Sequence, residues 1–102
     1  MENAQISGFQ WDEDNSTKCR KHGVSLAEIE FVLSHDFAVS PDVVHSETEC
    51  RLQAIGQTEK GRYLFIVFTL RQHEEDTLIR PISARYMHKK EVAAYEKENT
   101  DV

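Results

Sequence analysis

The stretch Arg62–Arg71, "RYLFIVFTLR", decides how the rest of the chain is read. Between its two arginines every residue except one threonine is apolar or aromatic, so neither face of a period-2 strand would be polar. Such a strand belongs at the centre of a sheet, with helices over one face and a further cover over the other. Immediately upstream, "EKG" (Glu59–Gly61) reads as a hairpin loop with glycine available for positive φ, and it follows a strand over Arg51–Thr58. Downstream, "QHEED" (Gln72–Asp76) is a turn into a last strand, "TLIRPISARYM" (Thr77–Met87).

Further out, "FAVSPDVV" (Phe37–Val44) is a strand with Pro41 near its middle, which predicts an edge or a bulge, and "HSETE" is a loop. In "SLAEIEFVLSH" (Ser25–His35) the spacing of Leu26, Ile29, Val32 and Leu33 predicts a helix, and Ser25 with Glu28 forms a capping box. "EDNSTKCRKHG" (Glu13–Gly23) predicts an earlier helix, capped by Asp12 and closed at Gly23. "GFQWD" (Gly8–Asp12) suggests a short strand before it, and "HKKEVAAYEKE" a final helix with Val92 and Tyr95 on one face. The order β-α-α-β-β-β-β-α predicts an α+β fold: an antiparallel meander of about four to five strands packed by two N-terminal helices and one C-terminal helix.

Bulk properties bound the function. At 102 residues, one domain over 1–102 is expected, with residues 1–6 and 97–102 as loose ends. The composition, 39% hydrophobic and 29% charged, is that of a globular protein with a real core. The start lacks a basic and an apolar region, and no apolar run is long enough for a bilayer, so a cytoplasmic protein without membrane partners is expected. Two cysteines are too few for a disulfide scaffold.

Net charge is −6, which weighs against a nucleic-acid partner, yet charge is unevenly placed. Between Lys60 and Lys90 the bases are Lys60, Arg62, Arg71, Arg80, Arg85, Lys89 and Lys90, against Glu74, Glu75 and Asp76 in one turn. In a straight strand Arg80 and Arg85 would lie on opposite faces. Pro81, which has no N–H for a ladder, marks a bulge or an edge, and one extra residue near it would flip the parity. Ile79, Ile82 and Ala84 would then face the core, and Arg80, Ser83 and Arg85 the other side, with Arg71 beside them. That avoids the cost of several kcal/mol for burying an unpaired arginine. An alternative is that these arginines simply pair with Glu74, Glu75 and Asp76.

Cys19-x-x-His22 and His45-x4-Cys50 offer four zinc-type donors, but without the doubled C-x-x-C spacing that would specify a site. Cys19 also falls on the core side of its helix, where a free cysteine is common. No phosphate loop, nucleophile elbow or magnesium pattern appears, so no cofactor or metal is expected. Arginine, lysine, histidine and tyrosine remain. Metal-free RNA cleavage can use such a set, because the ribose 2′-hydroxyl is the nucleophile and the protein need only hold the phosphate and move protons. Arg80 and Arg85 suit the phosphate. His88, Tyr86 and His22 are the candidate proton carriers, with Lys89, Lys90 and Arg71 as further RNA contacts.

"WDEDNSTKCRKHGVSLAEIE" (Trp11–Glu30), the "AIG…GR…FIVFTLR" run (Ala54–Arg71) and "IRPISARYMHKKEVAAYE" (Ile79–Glu96) together resemble the BrnT family of type II toxins. Its most specific pieces are W-D followed by K-H-G-V-S, and I-S-A-R ahead of E-x-x-x-Y. The resemblance implies a RelE-like fold, translation inhibition by RNA cleavage, and a BrnA-like ribbon-helix-helix antitoxin in a higher-order assembly. DNA would then be contacted only through the antitoxin. The basic positions it points to are Arg80, Arg85, Lys21 and His22. A non-catalytic module that binds the antitoxin, and a plain nucleic-acid binder, are the alternatives that composition leaves open.

Overall fold

The computed structural model describes residues 6–42 and 50–99. The elements are β1 (Ile6–Phe9), α1 (Glu13–Arg20), α2 (Leu26–Leu33), β2 (Phe37–Pro41), β3 (Leu52–Gln57), β4 (Tyr63–His73), β5 (Asp76–Tyr86) and α3 (Lys89–Asn99). His45, the "HSETE" loop and the chain ends at 1–5 and 100–102 lie outside the described residues, as do Val43 and Val44 of the strand expected over Phe37–Val44.

The five strands form one sheet in the order β1-β5-β4-β3-β2. β4 sits at its centre, as its two apolar faces require. β2 through β5 run antiparallel, and β2 is an edge strand, which tolerates Pro41 at its end. The sheet is nevertheless not a pure meander. β1 pairs in parallel with β5, from Ile6 opposite Thr77 to Phe9 opposite Ile79. A parallel neighbour needs a long crossover, here everything from α1 to β4, so no local pattern announced it. β1 also begins and ends earlier than "GFQWD" suggested, leaving Gln10–Asp12 to turn the chain into α1.

Capping fixes both N-terminal helices. Asp12 accepts from the Asn15 backbone N–H, and the Asn15 side chain accepts from the Asp12 backbone N–H. Ser25 and Glu28 make the equivalent reciprocal pair on α2. Gly23, at φ 88, provides the left-handed residue that ends the turn after α1. The core is built from Cys19, Val24, Ile29, Val32 and Leu33 of the helical half, and Ala54, Leu64, Ile66, Phe68, Ile79 and Ala84 of the sheet. At Gly56 a side chain is excluded, because an added Cβ would lie 2.7 Å from Val32 Cγ1. Helix α3 contributes no buried residue. Among the described residues no helix is long and apolar enough to cross a membrane.

Candidate functional site

The two faces of the sheet follow from β4, which has no inserted residue of its own. Leu64, Ile66 and Phe68 are buried on one face; Phe65, Val67, Thr69 and Arg71 occupy the other. On β5, Arg85 lies opposite Phe65, Ser83 opposite Val67, and Arg80 opposite Thr69. Between them the register jumps from Ser83 to Pro81, opposite Val67 and Phe68. Ile82 is the extra residue, and this bulge puts Arg80, Ser83 and Arg85 on the same face as Arg71. One detail differs from the sequence reading. Pro81, not Ile82, joins Ile79 and Ala84 in the core, since Pro81 is fully buried and Ile82 only half-buried. The proline ring fills the core position, so the residue with no partner is the one after it.

The bulge is held from outside the strand. The Asn15 side chain, buried within α1, donates through Nδ2 to the carbonyls of Pro81 (2.9 Å) and Gln10 (3.0 Å). One side chain thereby ties the β1 exit, the start of α1 and the bulge together. Sequence reasoning missed Asn15; its signal was the spacing D-x-x-N, a capping box with asparagine at its fourth position.

Neither arginine pairs with the acidic turn, since each finds a partner elsewhere. Arg80, whose side chain is 15% exposed, bonds Asp12 Oδ2 at 3.0 Å and Gln10 Oε1 at 3.2 Å. The Arg80 bond, with the Asn15 N–H second, holds the Asp12 carboxyl below its ordinary range. Arg85 lies over the Phe65 ring, 4.8 Å from its centroid, and meets Glu91 of α3 with both nitrogens, at 2.8 and 2.9 Å. That two-pronged bond, together with the His88 backbone N–H at 2.8 Å, pushes the Glu91 carboxyl down to about 2. Glu91 was absent from the expected site, although it is the first residue of the E-x-x-x-Y motif. Tyr95, the last, meets Tyr63 edge to face with centroids 5.6 Å apart.

The other expected site residues are dispersed. Arg71 joins Arg80 in lining a cavity of about 210 Å³ with Asp14, Asn15, Lys18, Arg51 and Ile82. His88, Lys89 and Lys90 are exposed where β5 passes into α3, next to Glu91. Lys21 and His22 are exposed in the turn between α1 and α2, and among the described residues neither side chain bonds to Arg80 or Arg85. Tyr86 lies on the opposite face from Arg85, opposite Leu64. It donates to Glu28 Oε1 at 2.8 Å with the Arg62 guanidinium 3.6 Å above its ring, and the bond to Glu28, then burial, raises its pKa. The structure thus brings Arg85, His88 and Glu91 together, and Arg71 with Arg80, but sets Tyr86 apart.

Of the four zinc-type donors, Cys19 is fully buried, with desolvation pushing its thiol up to about 11, while Cys50 is exposed. A buried thiol with a raised pKa is a core residue rather than a ready ligand.

A family model described as "Ribonuclease toxin, BrnT, of type II toxin-antitoxin system" matches residues 11–91. The match begins at Trp11 and ends at Glu91, so it includes both carboxylates that hold the arginines. No curated protein matches the chain.

Proposed function

From the premise that the chain belongs to the BrnT family of ribonuclease toxins of type II toxin–antitoxin systems, we propose that it stops translation by cutting RNA without a metal. The observation that carries this reading is Arg85: a flat guanidinium, 37% exposed, lying over the Phe65 ring and bound by both oxygens of one carboxylate. A phosphodiester presents two non-bridging oxygens in similar geometry, so it can replace Glu91 on the same fork. The ribose 2′-oxygen then attacks phosphorus, its proton passes to a base, and the 5′-oxygen leaves with a proton, giving a 2′,3′-cyclic phosphate. Arg85 neutralises the charge that builds on the phosphoryl oxygens. His88, which follows β5 beside this fork, is assigned the proton transfer, with His22 as the alternative carrier. Arg71, Lys89, Lys90 and Lys21 are assigned to the RNA backbone. Arg80 orients this face through Asp12, and Tyr86 supports it from behind.

We place a BrnA-like ribbon-helix-helix antitoxin over the same face in the cytoplasm, so that neutralisation and substrate exclusion are one event. The test is RNA cleavage by purified protein in EDTA. Wild type should cut, Arg85→Lys should lose most activity because a point charge cannot replace a fork, and full activity in Arg85→Ala would overturn the reading.

One observation favours a second reading, a non-catalytic module that binds the antitoxin and tunes its DNA binding. Arg80 and Arg85 are both occupied by acids of the chain itself. Expression alone in a bacterial host decides between the two: growth arrest relieved by the antitoxin supports the toxin, and unimpaired growth the module.

A further inference from the structure

We propose that the cavity lined by α1 together with Arg51, Arg71 and Arg80 is a second phosphate subsite, for another phosphodiester of the same RNA strand; this rests on the ribonuclease reading above. Its lining includes Lys18, Arg51, Arg71 and Arg80, with Asn15 as an additional polar group. Against these four bases stand Asp14 in the lining, Asp12 across Arg80, and the buried Asp42, whose backbone N–H donates to the Arg51 carbonyl at 2.8 Å. In a chain of net charge −6, the convergence of four cations on one cavity works against self-repulsion and calls for an anion. Arg51 and Arg71 also have interactions of their own, so the site is an engaged network rather than a set of spare charges.

The size admits an oxyanion group with several waters around it. The cavity holds about 210 Å³, where a water molecule takes about 30 Å³ of the liquid. Its position suits a strand of RNA. Arg71 and Arg80 sit on the same face as Arg85, and the β4 rows of Arg80 and Arg85 are separated by the four positions from Phe65 to Thr69. At about 3.4 Å per residue that is roughly 14 Å, too far for one phosphate to touch both. A chain that places its reacting phosphate on Arg85 and runs along β5 towards Arg80 meets the cavity with a phosphate further along the same strand, beyond the adjacent one. Lys18 and Arg51, neither visible as a site residue in the sequence, are recruited from α1 and from the residue just before β3.

The test measures binding of a non-cleavable 2′-deoxy oligonucleotide to the full chain across a range of salt. Each phosphate contact contributes about 0.7 to the slope of log K against log salt for a single strand. Lys18→Gln combined with Arg51→Gln should lower that slope by about 0.7, and Arg85→Gln should lower it by a similar, additive amount. Asp14→Asn should instead tighten binding, a gain that damage to the fold would not produce. If the cavity variants keep the wild-type affinity and slope while Arg85→Gln changes them, the subsite is wrong and the ribonuclease reading stands. If RNA is never cut but the oligonucleotide slope still depends on Lys18 and Arg51, the subsite stands and the ribonuclease reading falls. If the oligonucleotide does not bind, or an acidic peptide binds the cavity in its place, the subsite is overturned.

Discussion

Replacing Asn15 with alanine should cost this protein about 3–4 kcal/mol, an unusually large loss for a polar residue on a short helix. The figure follows from its three side-chain bonds, to the Asp12 N–H at 2.7 Å, the Gln10 carbonyl at 3.0 Å and the Pro81 carbonyl at 2.9 Å. Each contributes about 1 kcal/mol net, and the stranded Pro81 carbonyl adds a desolvation cost of similar size. A domain of this length has roughly 5–15 kcal/mol to lose, so the variant should still fold. Urea denaturation is the assay: the midpoint should fall by about 2 M with the slope unchanged. Asn15→Asp keeps the acceptor for Asp12 but turns a negative oxygen towards two carbonyls. At pH 7 it should be less stable than the alanine variant, and it should recover as the pH falls and the new carboxyl protonates. A loss under 1 kcal/mol for alanine, or wild-type stability for aspartate, would refute the claim that Asn15 holds the bulge.

Gln in place of Glu91 should remove about 0.5–1 kcal/mol at pH 7, the value of a pair whose side chains are 37% and 36% exposed. Because the carboxyl is held at about 2 against an ordinary 4.5, that contribution is complete above about 4.5 and fades as pH falls towards 2. The stability lost between pH 7 and pH 3 should therefore be smaller in Glu91→Gln than in wild type, as measured by denaturation at both values. Gly56→Ala should destabilise by roughly 1–3 kcal/mol, since its Cβ would meet Val32 Cγ1 at 2.7 Å and Phe37 Cβ at 3.0 Å; a thermal melt shows it. With a thiol reagent at pH 8, Cys50 should react in the native protein and Cys19, fully buried with its pKa near 11, only after unfolding; two fast thiols would contradict that burial.

The site was legible in the sequence where chemistry is local. Arg85 and Glu91 are six residues apart across one strand-to-helix junction, and the I-S-A-R and E-x-x-x-Y pieces contain both. Glu91 was still overlooked, because a single acid at a helix start ordinarily reads as a solvated charge favouring the dipole. Asp12 was read only as a cap; its second role, on Arg80, joins residues 68 positions apart, which no periodicity encodes.

By itself the sequence determined the inventory and the central strand. "RYLFIVFTLR" has no polar face, so it had to lie mid-sheet, and Ser25 with Glu28 had to start a helix. Pro81, with the cost of burying an unpaired Arg80 or Arg85, was enough to call for a bulge, since a residue without an N–H breaks the ladder. Tertiary structure decided what that bulge does. Asn15, from a distant helix, satisfies the carbonyl it frees, and the packed proline ring sends Ile82 out of the core. β1 chose a parallel partner on β5, a pairing set by a crossover longer than any local pattern. Strand period fixes which residues share a face only until one is inserted; where the insertion falls is a matter of packing.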